Sequence, residues 1–239
     1  MPRTKLTLIF ILILLLLSIS PAVAQQSKET TSLLNRGKYI PDIGTFMQIG
    51  ANSPAGYSWD GKDVYFTSSM SGAPQIYRIT KEGWPYQLTT FEDGIDFFHL
   101  SDNGTMGIVG ASVGGSEQSQ LYHIDTKMGR IMPLTSGKEV QYGSVTWSPD
   151  GRCIYYRSNE ENKQDFFIYR MRIADGYQEK IFGDTSGIRG HNSIADISAD
   201  GGLMIISRFN SNADNDLFLL NLTSMEHTSL TSDEKDILY

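Results

Sequence analysis

A chain of 239 residues, 40% hydrophobic and 11% aromatic, is long enough to bury a sizeable core. Its formal charge of -7 argues against nucleic acid or an anionic membrane as the main partner, because both select a basic surface. A single cysteine, Cys153, excludes an internal disulfide framework. The 23 glycines and the many turn dipeptides suit an all-β chain of short strands.

The chain opens on a targeting signal. Arg3 and Lys5 precede an apolar run from Leu6 to Ile19, and Ala22-Val23-Ala24 supplies a small-x-small cleavage site. Residues 1–24 therefore read as a signal peptide, which gives an exported protein, periplasmic or secreted. The run is short for a bilayer span, and no membrane contact is expected after cleavage. No cysteine follows it to carry a lipid anchor. Residues 25–55 read as a lead-in containing a strand.

From residue 56 onward one pattern is written four times. It begins with a turn: Ser58-Trp59-Asp60-Gly61, Ser101-Asp102-Asn103-Gly104, Ser148-Pro149-Asp150-Gly151 and Ser198-Ala199-Asp200-Gly201. A strand, a polar tip and a second strand with a central aromatic follow. From the turn glycine to that aromatic the steps are 16, 18, 18 and 17 residues, ending at Tyr77, Tyr122, Tyr169 and Phe218. The pattern closes 12 or 13 residues later at Thr89, Thr135, Phe182 and Thr231. Four short strands per period, at about 43 to 50 residues, predict a β-propeller of four-stranded blades. The blades are expected at about 56–90, 97–136, 143–183 and 193–232, within a partial propeller spanning 56–239. A two-sheet sandwich is the competing architecture, but sandwiches do not repeat at a fixed period. The eight residues after Thr231 read as a linker toward a further blade, so a truncated product or a fragment is expected.

The Ser-Pro-Asp-Gly turn, the later Ile-Tyr and the closing Leu-Thr resemble the repeat of TolB-like and WD40-like propellers. Two longer stretches, Gly83-Trp84-Pro85-Tyr86-Gln87-Leu88-Thr89-Thr90-Phe91-Glu92-Asp93-Gly94 and Ser207-Arg208-Phe209-Asn210-Ser211-Asn212 with Asp214 to Leu220, are more particular. They are similar to the N-terminal propeller of prolyl oligopeptidase family serine peptidases of the dipeptidyl aminopeptidase and acylaminoacyl-peptidase type. The resemblance covers roughly residues 40–239. It implies a propeller that gates the access of peptides to a C-terminal α/β-hydrolase domain carrying the catalytic triad. That domain is missing from this chain, so the chain alone is expected to be inactive, and peptide substrates would be partners only through it. The alternative is a TolB-like periplasmic interaction propeller without enzymatic activity. A metal-dependent propeller lyase or hydrolase is the third reading.

No catalytic, cofactor or metal residue is assigned from the sequence. Gly110-Ala111-Ser112-Val113-Gly114 has nucleophile-elbow spacing, but it joins two strands, where an elbow needs a helix after the serine. Glu160 and Glu161 are the candidate substrate-binding residues. The resemblance implies that paired propeller carboxylates can hold a peptide's amino terminus, while their place in a polar tip favours a solvated hairpin. Asn210, Asn212, Asp214 and Asp216 alternate like half a calcium loop, but Asn215 and Asn221 stand where Gly and Glu are needed. His99, His123, His191 and His227 fall in separate repeats without metal spacing. Asn103-Gly104-Thr105 and Asn221-Leu222-Thr223 match a glycosylation sequon at turn or strand positions. Cys153 has no neighbouring His and reads as a structural strand residue.

Overall fold

The computed structural model describes residues 51–184, 187–231 and 237–238. Compactness divides the chain into Met1–Phe46 and Met47–Tyr239, and every described residue belongs to the second unit. The proposed signal peptide and most of the lead-in lie outside the described residues.

All regular structure among the described residues is β. Sheet one holds β1 (Asn52–Tyr57), β2 (Val64–Ser68), β3 (Gln75–Ile79) and β4 (Pro85–Gln87). Sheet two holds β5 (Phe97–Leu100), β6 (Met106–Ala111), β7 (Gln120–Asp125) and β8 (Ile131–Pro133). Sheet three holds β9 (Tyr142–Trp147), β10 (Cys153–Ser158), β11 (Phe167–Arg172) and β12 (Gln178–Phe182). Sheet four holds β13 (His191–Ile197), β14 (Leu203–Ser211), β15 (Asp214–Asn221) and β16 (His227–Ser229). Each sheet is an antiparallel meander with its strands in chain order, as propeller blades are. β1 begins at Asn52, four residues before the boundary read from the sequence. Pro54 and Gly56 sit at a register shift in β1, and such residues mask the strand pattern.

The two rulers of the repeat have separate physical causes. The turn serine is a hub. In sheet three the Ser148 hydroxyl donates to Asp150 (2.6 Å) and accepts from the Cys153 amide (2.9 Å), and Gly151 N–H donates to the Ser148 carbonyl (2.8 Å). Gly151 has φ +68°, where a side chain is disfavoured. Ser58, Ser101 and Ser198 repeat the pattern with Asp60, Asn103 and Asp200. Asn103 substitutes for aspartate because the site needs only an acceptor. The closing threonine repairs a ladder. Thr89, Thr135 and Thr231 hydroxyls accept from the amides of Ile76, Leu121 and Leu217 at 2.8–2.9 Å, where the fourth strand has peeled away. In sheet three β12 runs on, and Phe182 pairs directly with Ile168.

The core lies between sheets. Each sheet turns a leading face to the sheet that follows and a trailing face to the one before. Ile76 of sheet one packs with Val109 and Ile124 of sheet two. Ile108 and Leu121 of sheet two pack with Ile154, Tyr156 and Tyr169 of sheet three. Tyr155 and Ile168 of sheet three pack with Met204, Ile206 and Phe218 of sheet four. Each fully buried aliphatic side chain contributes about 1.5–3 kcal/mol. Strands between two neighbouring sheets are therefore buried on both faces.

Candidate functional site

Antiparallel connectivity sends the serine turns to one end of the sheets and the β2–β3, β6–β7, β10–β11 and β14–β15 hairpin tips to the other. The turn end carries open clefts. One of about 290 Å³ lies between Trp59, Asp102, Asn103, Pro149 and Asp150. Another, of about 300 Å³, lies between His99, Trp147, Pro149 and Ala199. Trp59, 85% exposed, stands at the margin of the first. Packing around the His99 ring disfavours its charged form and lowers its pKa, although the side chain keeps an exposed edge at the cleft wall. Hydrogen bonds from Ser148 and Ser198, and from the amides of Arg152 and Gly202, hold the Asp150 and Asp200 carboxyls below the usual range. Both stay charged across neutral pH.

At the tip end of sheet three, Glu160 and Glu161 follow β10. Their neighbours come from three other strands. The Tyr142 hydroxyl of β9 donates to Glu160 Oε2 at 3.4 Å. Lys180 Nζ of β12 sits 2.6 Å from Glu161 Oε1 and 4.9 Å above the Phe167 ring. Tyr142, Tyr156 and Tyr169 form a continuous aromatic row, with ring centroids 5.9 and 5.6 Å apart. Burial, reinforced by the charge of Glu160, pushes the Tyr142 phenol up to about 12. The Tyr156 and Tyr169 phenols are raised for the same reasons. The hairpin is thus less simply solvated than its sequence suggests. Glu161 is neutralised by Lys180, whereas among the described residues no cation pairs with Glu160.

Ser112 stands just past β6, in the hairpin before β7, with no helix after it. Its hydroxyl donates to Asp96 Oδ1 at 3.1 Å, and Ser119 donates to the other oxygen of Asp96 at 2.5 Å. The arrangement ties a loop and gives the serine a carboxylate where the elbow needs an imidazole. The calcium-like stretch forms a two-residue turn between β14 and β15. Asn210 donates to Asp214 (3.1 Å) and Asp216 (3.0 Å), and Arg208 pairs with Asp216 at 2.5 Å. No group of three His, Cys, Asp or Glu able to hold a metal occurs among the described residues.

His123 is buried in β7, and His191 and His227 lie against Phe166 and Phe182. Both sequon asparagines are engaged in turns: Asn103 accepts from Thr105, and Asn221 from the amides of Thr223 and Ser224. Burial pushes the Cys153 thiol up, which disfavours the reactive thiolate. Nothing local in the sequence puts Lys180 or Tyr142 beside the glutamates, since both depend on strand register. Trp59 was visible as the one tryptophan inside a turn motif.

No protein-family profile matches the sequence, and no curated protein sequence matches it. Solved structures do. TolB from Acinetobacter baumannii matches at 21% identity and TM-score 0.56, over 76% of this chain and 44% of that one. Putative TolB from Agrobacterium tumefaciens matches at 20% identity and TM-score 0.56, over 77% and 62%. A prolyl endopeptidase structure, from a study of inter-domain dynamics in two such enzymes, matches at 12% identity and TM-score 0.62, over 90% and 35%. These likenesses show a shared fold. The chain is built as β-propeller blades. It spans 35% to 62% of the length of those three structures.

Proposed function

We propose that the chain is a non-catalytic propeller, the access-controlling part of an exported serine peptidase of the prolyl oligopeptidase family. The observation that carries the non-catalytic half of this reading is at Ser112. The motif with nucleophile spacing closes a β-hairpin, and its hydroxyl is bound to a carboxylate instead of an imidazole. The peptidase half rests on the two sequence stretches around Trp84 and Phe209, and on a fold likeness to a prolyl endopeptidase that extends over 90% of the chain. Export rests on the Arg3–Ala24 segment. Among the described residues no helix is long and apolar enough to cross a membrane. In this reading Glu160 offers a charge that a peptide's amino terminus could meet at the tip end, while Lys180 holds Glu161.

A TolB-like interaction propeller is the second reading. The open clefts and the exposed Trp59 at the turn end favour it. A fluorophosphonate probe separates the two. The 239-residue chain is expected to remain unlabelled, and the polypeptide purified from its source to be labelled at a serine beyond residue 239. Labelling of Ser112 would overturn the non-catalytic assignment. A source polypeptide that takes no label and cleaves no peptide would overturn the peptidase assignment in favour of the second reading.

A further inference from the structure

Four arginines are half-buried among the described residues: Arg78, Arg157, Arg170 and Arg208. Two of them work through the side of the guanidinium fork formed by Nε and Nη2. Arg170 turns that side to Glu179, and Arg208 turns it to Asp216. Arg78 has Asp63 at 3.9 Å from its Nη1. Among the described residues no carboxylate pairs with Arg157. Its Nη1 donates to Ser193 Oγ at 2.8 Å, and its Cζ lies 4.9 Å from the centre of the Phe166 ring. Its Nε is buried without an acceptor, and its Nη2 makes no hydrogen bond to the described residues. Burial disfavours the charged form and lowers the pKa, yet an arginine keeps its charge. A half-buried cation without a counter-charge is costly, and the cost is relieved by an anion that meets its donors.

Arg157 lies in β10, opposite Gly143 of β9 and Ile168 of β11, on the leading face of sheet three. The first strands of sheets three and four meet beside it. The Ser144 hydroxyl of β9 accepts from the Ile194 amide at 2.9 Å and donates to the Ile194 carbonyl at 3.3 Å. First strands also meet between sheets one and two and between sheets two and three, so they stand nearest the axis of the stack. Gly143 leaves room next to the fork: apart from its chain neighbours, a Cβ there would meet only Arg157 Nε within 4 Å, at 3.6 Å. The two glutamates of the adjoining tip face the other way. Glu160 is held by Tyr142, and Glu161 by Lys180 above Phe167, and both rings belong to the face turned to sheet two. We propose that the Nε–Nη2 side of Arg157, beside Gly143, binds the carboxylate of a peptide, either its C terminus or an acidic side chain. Arg170 and Arg208 hold carboxylates in this way within the chain, and the planar fork matches an anion of two oxygens. Both functional readings give the propeller a polypeptide ligand, and the inference rests on that much of them.

The Nε–H resonances of the arginines test it on the 239-residue chain, because each reports its own partner. Arg157→Lys, or through-bond assignment if that variant does not fold, identifies the Arg157 signal. The probes are N-acetyl-diglycine for a C terminus, N-acetylglutamate α-amide for an acidic side chain, N-acetyl-diglycine amide as the neutral control, and inorganic phosphate. The Arg157 signal is expected to move saturably with one or both carboxylates and to stay still with the neutral amide. The Arg170 and Arg208 signals, already held by Glu179 and Asp216, should stay still throughout. Gly143→Ala should weaken the binding about ten-fold or more, the effect of losing a charge-assisted hydrogen bond. Unchanged Arg170 and Arg208 signals in that variant report an intact fold. A response to the first probe alone assigns a C terminus, and a response to the second alone assigns an acidic side chain. No movement with either carboxylate, equal movement of all three arginine signals, or binding that Gly143→Ala leaves unaltered overturns the proposal. Tighter binding of phosphate than of either carboxylate overturns the assignment to a peptide. Failure of the peptidase reading is read separately, from the fluorophosphonate label.

Discussion

At one end of the sheets, four serine turns repeat a single hydrogen-bond pattern. At the other, the hairpin tips share little beyond a serine hydroxyl, Ser68 or Ser158, that accepts from the amide two residues on. The first tip is held by Tyr77 donating to Ser71 at 2.8 Å. The second is held by Asp96 and Asp93, which reach across from the linker. Asn162, Asp165 and Arg189 hold the third, and a two-residue turn closes the fourth. The turn end solves a backbone problem that every sheet shares, so one solution recurs. The tip end has no common task, so its polar groups are free to diverge toward whatever each tip meets. Function is more readily sought where the repeat breaks: at Trp59 within a turn, and at the Glu160-Glu161 tip with its Lys180.

Four turns with one pattern should still respond differently to the same substitution, and this is the largest effect expected. Gly104 and Gly151 have nearly equal φ, +64° and +68°. A Cβ on Gly104 would lie 2.7 Å from Ser58 Cα and 2.9 Å from the Tyr57 carbonyl, whereas one on Gly151 would meet nothing within 4 Å. Gly151→Ala should cost about 1–2 kcal/mol from the left-handed backbone alone. Gly104→Ala should cost roughly 3 kcal/mol or more, because rigid backbone of the preceding turn must move. Thermal denaturation decides it. Equal losses for the two variants would mean that the turns do not lean on one another.

A smaller effect tests the second ruler. Thr135→Val keeps the shape and removes the acceptor for the Leu121 amide, a loss of about 1–3 kcal/mol for a buried donor left unpaired. Thr135→Ser should cost well below that. Amide exchange at Leu121 should quicken in the valine variant and change little in the serine variant. If valine leaves exchange at Leu121 unchanged, the hydroxyl is not part of the ladder.

The repeat made the fold readable because its spacing reflects backbone chemistry. Serine, a carboxylate or amide, and glycine are each needed at a fixed place in the turn, and threonine at the fourth-strand break. Chain position alone recovers such demands. Phe182 marks the limit: it keeps the spacing but replaces a side-chain bond with a main-chain pair, which only the register of β12 reveals. The candidate site was legible only as the dipeptide Glu160-Glu161. Lys180 is nearly twenty residues away, and a bulge between Ile168 and Tyr169 sets its approach. The partners at the tip depend on that bulge, and no local pattern encodes it.

The smallest effect probes that tip directly. The Tyr142 phenol titrates near 12 because burial and the Glu160 carboxylate both disfavour its anion, burial being the larger cause. Glu160→Gln removes the charge and retains an acceptor, so the pKa should fall part of the way toward 10 and stop above it. Selectively labelled tyrosine ring carbons, with Tyr142→Phe to assign the resonance, give the measurement. The sign for stability follows from linkage. Below pH 10 the phenol is protonated in both folded and unfolded chains and its contribution is complete. As pH rises from 10 toward about 12, the unfolded chain ionises first, and stability is lost. The glutamine variant should lose less over that window than the parent, with little change at pH 7. A Tyr142 pKa that does not move in the variant would show that the Glu160 charge does not reach the hydroxyl, and would remove the case for Glu160 as the tip carboxylate without a cation among the described residues.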